Sequence, residues 1–344
     1  MSAPRSYVVR VVEVVEETHD ACSFVLEPAG EDAAAFTYRP GQFLTVQVPT
    51  DHPEGAARCY SLSSSPALDE KLKVTVKRVD GGYASNWLCD HAVAGSTLEV
   101  LKPAGTFTPD RLDDDLLLVA GGSGITPVMS ILKSALHEGE ARITLLYANR
   151  DGRSVIFADE LAGLARRFPG RLTTIHWLES VQGLPDVGQL TELARPVADR
   201  EAFVCGPGAF MDCALEALAA AGMPTGRAHV ERFYSLESDP FADRSGEIDR
   251  GGPTSTMEVE LDGEWHTLDW PQGAKMLDVL LEAGLDAPFS CREGNCSACA
   301  CVLLDGDVDM EHNNILEQED LDEGFFLSCQ ARPTTGHVKA SYDA

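Results

Sequence analysis

Four cysteines carry the most specific chemistry in this 344-residue chain. Cys291, Cys296 and Cys299 sit on one short stretch, Cys-Arg-Glu-Gly-Asn-Cys-Ser-Ala-Cys, and Cys329 follows well downstream. Thiolates spaced by four residues and then two, with a fourth from a separate segment, form the ligand set of a [2Fe-2S] cluster. A structural zinc site is the alternative, although it more often shows two C-x2-C pairs. Disulfide frameworks belong to short secreted chains. This chain is long and shows no charged start followed by an apolar run of leader length, so a reducing, cytoplasmic setting is expected. Gly294, Ser297 and Ala298 are small enough for the loop backbone to approach the sulfurs and donate N–H groups to them. Cys301 alternates like a strand residue in Ala-Cys-Val-Leu-Leu and reads as a packed thiol.

Two further constellations suit nucleotides. Arg58-Cys59-Tyr60-Ser61 falls where a strand is expected, so the period of two puts Arg58 and Tyr60 on one face. A guanidinium beside an aromatic ring suits a flavin nucleotide, the first gripping phosphate and the second stacking on the isoalloxazine. The bland alternatives are an exposed strand arginine and a core tyrosine. Gly82-Tyr-Ala-Ser85-Asn-Trp-Leu opens a helix and offers backbone N–H groups and a hydroxyl to a pyrophosphate. Gly121-Gly122-Ser-Gly124-Ile-Thr126-Pro127 joins an apolar strand to a helix, a dinucleotide cradle that departs from the G-x-G-x-x-G pattern. Pro127 fits the first helical turn. Val204-Cys205-Gly206-Pro207 ends a later strand at the carboxyl edge, where such sheets bind ligands. Cys205 there either faces the ligand or is a small buried residue.

These groups need three units to position them, which makes a multidomain β, α/β and α+β chain. Residues 7–15, 23–27, 43–48, 72–77 and 97–101 alternate and are rich in β-branched residues, as in a closed antiparallel β-barrel over 1–110. Over 111–236 strands at 115–120, 142–147, 172–178, 202–205 and 227–233 alternate with helices at 128–136, 157–168, 187–194 and 208–221, the pattern of a doubly wound parallel sheet. Residues 237–255, with Asp, Gly, Pro and Ser throughout, read as a linker long enough for the last unit to dock and swing away. Residues 256–344 hold a strand pair at 256–261 and 264–268, a helix at 276–283 and the cysteine loop.

Composition narrows the function classes. A formal net charge of −28 argues against nucleic acid, whose phosphates need basic patches. From Met257 onward 19 Asp and Glu stand against 4 Lys and Arg, a surplus of 15, which either steers a basic redox partner or forms a solvated surface. No apolar run approaches the roughly 18 residues of a membrane span.

Residues 256–344 resemble a plant-type ferredoxin domain, a β-grasp fold, through the cysteine loop and Phe326-Leu-Ser-Cys329. The two preceding units resemble the ferredoxin-NADP reductase superfamily through Arg58-Cys-Tyr-Ser, Gly82 to Ser85 and the Gly121 turn. That resemblance implies that Arg58 binds the FAD pyrophosphate, Tyr60 stacks on the flavin, Ser61 lies near N5, and Lys77, Gly82 and Ser85 complete the site. It also implies that Gly122, Gly124 and Thr126 cradle the pyridine nucleotide, that Cys205, Gly206 and Pro207 sit against the nicotinamide, and that Phe233 covers the other flavin face or fills a core. Ser61 and Cys205 would flank hydride transfer as the catalytic pair. The domain order resembles reductase components of multicomponent oxygenases. Nearly the whole chain is similar to the reductases that serve 3-ketosteroid 9α-hydroxylases, in Ala57-Arg-Cys-Tyr-Ser-Leu62, Tyr-Ala-Ser-Asn-Trp-Leu-Cys-Asp90, Tyr147-Ala-Asn-Arg-Asp and His176-Trp-Leu-Glu-Ser-Val-Gln-Gly-Leu184.

The resemblance implies hydride transfer from NADH to FAD, single electrons through the cluster, and a separate Rieske-type oxygenase of sterol degradation as acceptor. NADH is expected over NADPH. Asn149-Arg150-Asp151-Gly-Arg153 could build a 2′-phosphate pocket, but Asp151 between the arginines opposes it. The same modules would serve an acyl desaturase or a phenylacetyl-CoA epoxidase, and a redox-sensing or interaction protein would carry the same cofactors.

Overall fold

The structure is a computed structural model that describes residues 6–30, 33–50, 56–224, 226–242, 248, 250 and 252–344. The first unit holds β1 (Tyr7–Thr18), β2 (Ala21–Pro28), β3 (Phe43–Gln47), β4 (Ala57–Ser61), β5 (Leu72–Lys77), α1 (Tyr83–His91) and β6 (Thr97–Val100). The strands pair antiparallel in the order β4-β3-β6-β1-β2-β5. Alternation decides their faces: Tyr7, Val9 and Val11 of β1 are buried while Val8 and Arg10 are exposed. The sheet curls until the residue after β4 bridges β5 at Leu62 and Val74, and Ala84 and Leu88 of α1 plug the barrel core.

The second unit contains β7 (Leu116–Gly121), α2 (Ile125–Glu138), β8 (Ile143–Asn149), α3 (Ala158–Arg167), β9 (Leu172–Leu178), α4 (Glu179–Gln182), α5 (Val187–Ala194), β10 (Glu201–Cys205), α6 (Gly208–Ala220) and β11 (Ala228–Glu231). The sheet is parallel, in the order β11-β10-β7-β8-β9. Every residue of β7 is buried, as a strand covered on both faces requires, and one core lies on each side of the sheet. Helix α2 begins three residues before the expected start at 128, so that Pro127 stands in its first turn.

Helix α2 is buried from Ile125 to Leu136, polar residues included. The reason is a seam with the barrel. Ser130 donates to the Ser64 carbonyl at 2.6 Å and Ser134 meets Ser65 at 2.8 Å. The Lys133 ammonium, 1% exposed, lies 2.6 Å from Asp69 and 3.2 Å from Glu160.

The third unit comprises β12 (Thr254–Leu261), β13 (Glu264–Pro271), α7 (Met276–Glu282), β14 (Ala300–Asp305), β15 (Val308–Met310), α8 (Gln318–Asp322), β16 (Phe325–Leu327), β17 (Ala331–Pro333) and β18 (His337–Ser341). Its main sheet runs β13-β12-β18-β14-β16, with a parallel β12–β18 pair, and β15 pairs with β17 apart from it. Helix α7 packs Met276, Leu277 and Leu280 onto this sheet around Trp270, the β-grasp arrangement. Cys301 is 2% exposed within that core, and burial pushes its thiol well above its ordinary value. The linker expected over 237–255 lies partly outside the described residues, at 243–247, 249 and 251. Its first part is strapped across the cysteine loop: Glu293 accepts N–H groups of Glu237 and Ser238, and the Ala242 carbonyl accepts from Arg292. Among the described residues no helix is long and apolar enough to cross a membrane.

Replacing Lys133 by methionine strips Asp69 and Glu160 of a buried cation, and should destabilise the first two units by about 3 kcal/mol. Arg142→Gln removes an exposed pair with Asp115 and should cost under about 1 kcal/mol. Urea unfolding reads both, and equal losses would contradict the burial of the seam.

Candidate electron-transfer site

The cysteine loop connects α7 to β14, and two left-handed residues shape it. Gly294 has φ +76°, and a Cβ there would stand 2.6 Å from the His312 carbonyl oxygen, so only glycine fits without displacement. Arg292, at φ 59°, is held by the Ala242 carbonyl at 3.1 Å, by Asp278 at 3.2 Å and by the Phe289 ring. N–H groups then converge on sulfur: Glu293 and Asn295 each donate to Cys291 Sγ at 3.4 Å, and Cys291 donates to Cys296 Sγ at 3.3 Å. The Gln330 amide reaches Cys329 Sγ at 3.4 Å. These donors come from Cys291, Glu293, Asn295 and Gln330, whereas residue size alone points to Ser297 and Ala298.

The four sulfurs lie close enough to act on one another, Cys291 on Cys296 and Cys329, and Cys329 on Cys299. Those partners hold the Cys291 thiol well below its ordinary value, while Cys291 and burial push Cys296 up. Among the described residues no three His, Cys, Asp or Glu side chains close on one point as single-ion ligands would. Four neighbouring sulfurs ringed by N–H donors fit a two-iron cluster.

The loop is seated on the barrel. Ser290 Oγ meets Thr45 Oγ1 at 2.6 Å and Cys59 Sγ at 3.5 Å, Ser297 meets Thr106 at 2.6 Å, and Lys102 pairs with Asp286. None of these contacts is visible in the motifs, because each joins residues about two hundred positions apart. Arg58 leaves β4 toward the strap, with Nη1 2.6 Å from the Ala57 carbonyl and 3.1 Å from that of Leu236. Tyr60 is half-buried against the barrel core. A small cavity of about 20 Å³ is lined by Ser61, Glu231, Phe233, Leu236, Cys291 and Cys296. The fold thus brings Ser61 and Phe233 together with two of the four cysteines. Phe233 is 47% exposed, so it belongs to no core.

No motif marks Glu231, yet it belongs to this site. It pairs with Cys205 across β10 and β11, and burial pushes its carboxyl up to about 8. At neutral pH it therefore holds its proton. The signal that could have found it is a carboxylate at a strand's carboxyl end in register with a cysteine.

Gly82 and Ser85 lie at the start of α1, where Ser85 Oγ accepts the Val79 N–H at 3.1 Å and secures the turn. Gly82 donates its own N–H to the Val79 carbonyl at 3.0 Å.

The glycine turns after β7 and β10 interlock. A Cβ at Gly124 would fall 2.1 Å from the Cys205 carbonyl oxygen, and one at Gly206 would fall 3.0 Å from Gly121 backbone. Because β7 and β10 are neighbours from which the sheet grows in opposite directions, these turns flank its topological switch point. Thr126 is buried, its hydroxyl donating to the Ser123 carbonyl at 3.0 Å. Cys205 is fully buried, and burial pushes its thiol well up. A cleft of about 530 Å³ opens beside Gly121, Gly122 and Pro207 and runs past Arg150 to Trp177. Lys77 lines this cleft. The Asn149 amide is buried in the wall of this cleft beside Tyr147, whose hydroxyl donates to the Gly122 carbonyl at 3.1 Å. Gly121, Gly122, Lys77 and Arg150 along one cleft fit the phosphates of a dinucleotide.

Comparison with known proteins assigns each unit. Residues 8–108 match the oxidoreductase FAD-binding domain, 118–216 the oxidoreductase NAD-binding domain, and 259–334 the 2Fe-2S iron-sulfur cluster binding domain. The ferredoxin reductase component of 3-ketosteroid-9-alpha-monooxygenase from Mycobacterium tuberculosis is 56% identical over 97% of this chain and 95% of its own length. A component of the 1,2-phenylacetyl-CoA epoxidase from Escherichia coli is 35% identical over 97% of both chains. Phthalate dioxygenase reductase shares the fold with a TM-score of 0.59 over 98% of each chain at 24% identity. The chain spans only 41% of a self-sufficient cytochrome P450 monooxygenase that has the same fold at TM-score 0.64 and 22% identity. The protein is an oxidoreductase with FAD, NAD and [2Fe-2S] domains. More than half of its residues match over nearly the full length of such a relative, and the chain belongs to the family of ferredoxin reductase components of 3-ketosteroid-9-alpha-monooxygenases.

Proposed function

We propose that this chain draws electrons from NADH at the β7–β10 switch point and delivers them one at a time, through the four cysteines, to a separate Rieske-type oxygenase that binds a ketosteroid. The observation that carries the reading is the cavity shared by Ser61, Phe233, Cys291 and Cys296. Ser61, beside which the flavin ring would lie, thus neighbours the thiols that would receive its electrons. Bound FAD supplies the conversion between a two-electron hydride and the one-electron cluster.

The side chains divide the remaining work. Arg58 holds the FAD pyrophosphate, Tyr60 stacks on the ring, Phe233 covers its other face, and Gly82 and Ser85 shape the turn beside the phosphates. Gly122, Gly124 and Thr126 keep the first cradle turn low, while Cys205, Gly206 and Pro207 form the floor for the nicotinamide. Lys77 lies on the nucleotide side and serves the dinucleotide phosphates. Cys291, Cys296, Cys299 and Cys329 bind the cluster. We divide the chain into 1–110, 111–236, a linker 237–255 and 256–344. The partner's chemistry follows from the names of the similar reductases. A cytoplasmic setting fits ten unpaired cysteines.

Anaerobic titration with NADH should bleach the flavin band and raise the EPR signal of a reduced [2Fe-2S] cluster. Bleaching without that signal would overturn the assigned route. Cys296→Ser should abolish reduction of an external acceptor while flavin reduction by NADH persists, and retention of both would remove Cys296 from the path. Ser290→Ala, which deletes a buried hydroxyl worth about 1 kcal/mol at the docking seam, should slow flavin-to-cluster transfer several-fold in stopped-flow traces and leave flavin reduction unchanged. Arg58→Ala should weaken FAD retention by about tenfold or more, as expected for a lost charge-assisted phosphate contact.

A further inference from the structure

Asp20 belongs to the tight turn between β1 and β2 on the barrel, yet its carboxylate reaches two cations that line the nucleotide cleft. Oδ2 lies 2.6 Å from Arg150 Nη2 and 3.8 Å from Lys77 Nζ, while Oδ1 accepts the Thr18 hydroxyl at 2.8 Å. The turn is fixed, because the Asp20 carbonyl accepts the Arg78 N–H at 2.7 Å. Partial burial would raise its pKa, but the Thr18 hydroxyl and the charges of Lys77, His19 and Arg150 prevail and hold the carboxyl below its ordinary value.

The cleft follows the carboxyl edge of the sheet, from Pro207 and Gly121 at the switch point, past Arg150 after β8, to Trp177 at the end of β9 and Glu179 just after it. A dinucleotide laid along it, nicotinamide at the switch point, brings its adenosine ribose to Arg150. The charge there is balanced: Lys77 and Arg150 face Asp20 and Glu179. Asp151, which lies between the two arginines in sequence, turns instead into its own loop and accepts N–H groups of Arg153 and Ser154 at 2.9 and 3.0 Å.

We propose that Asp20 is a specificity-determining residue for the nucleotide: by pairing with Arg150 and keeping a carboxylate beside Lys77, it offsets the positive charge these two residues would offer a ribose 2′-phosphate and so selects NADH against NADPH. Discrimination thus rests on a repulsive element, a carboxylate held where a 2′-phosphate would need positive charge. The inference rests on the proposed use of NADH.

The ligands 5′-AMP and 2′,5′-ADP differ only in the 2′-phosphate, and calorimetric titration of the FAD-loaded protein reads their affinities without turnover. Asp20→Asn should improve binding of 2′,5′-ADP relative to 5′-AMP on the order of tenfold, a size usual for one charge contact, and should move the kcat/KM ratio of NADPH to NADH the same way. Adding Arg150→Gln should cancel the gain. An unchanged ratio in a folded, FAD-retaining Asp20→Asn protein would sink the inference, as would a gain that persists without Arg150. Should Asp20→Asn fail to fold, Arg150→Gln alone decides: a pinned Arg150 contributes little, so a large loss of 2′,5′-ADP binding contradicts the proposal. A wild-type protein that takes NADPH as readily as NADH would instead refute the underlying preference, which separates the two failures.

Discussion

The structure depends on bringing a sulfur cage within reach of the barrel face that carries Cys59 and Ser61. A buried contact among Ser290, Thr45 and Cys59 does this. It fixes the loop that begins at Cys291 one residue beyond the hydroxyl, so that Cys291 and Cys296 line the same cavity as Ser61 and Phe233. Each hydroxyl contact contributes only about 1 kcal/mol net, and the half-exposed Lys102–Asp286 pair contributes less. What makes the contact decisive is its location: a shift of a few ångströms would open water between the two redox positions.

The seam between the barrel and the nucleotide unit is built differently. Helix α2 is buried all round, and its polar residues Ser130, Lys133 and Ser134 all find partners. A buried ammonium tolerates no loss of its carboxylates, so this seam is rigid where the ferredoxin seam is light. The contrast matches the tasks. With the proposed roles, hydride transfer would need one fixed geometry between Ser61 and the turn at Cys205, whereas a unit proposed to give electrons to an outside partner would have to present its cluster to it.

Interlocked glycine turns finish the site. Gly124 and Gly206 let two loops from non-consecutive strands touch where a single added Cβ would collide. The carboxyl ends of β7 and β10 therefore form one floor, with Thr126 closing the turn through its own hydrogen bond. Cys205 lies under that floor as a neutral thiol, which suits packing against an uncharged ring. Glu231 beside it also carries its proton at neutral pH, so the region where a nicotinamide and a flavin would meet holds no net charge from these two groups.

Much of this was legible in the order of residues. The cysteine spacing, the period of two over β1 to β6 and the apolar β7 running into the Gly121 turn identify three units and three cofactors, because local geometry and ligand chemistry depend on neighbours in sequence. Only the tertiary structure decided which face meets which. Residues as distant as Thr45 and Ser290, or Asp20 and Arg150, attract each other through side-chain contacts that leave no periodic trace in the chain. For the same reason Lys77 lines the nucleotide cleft, the segment after Leu236 straps the cysteine loop, and Gln330 rather than Ser297 or Ala298 donates to a cluster sulfur. Spacing names the chemistry; packing sets its distances, since those are fixed by surfaces that form only when separate units meet.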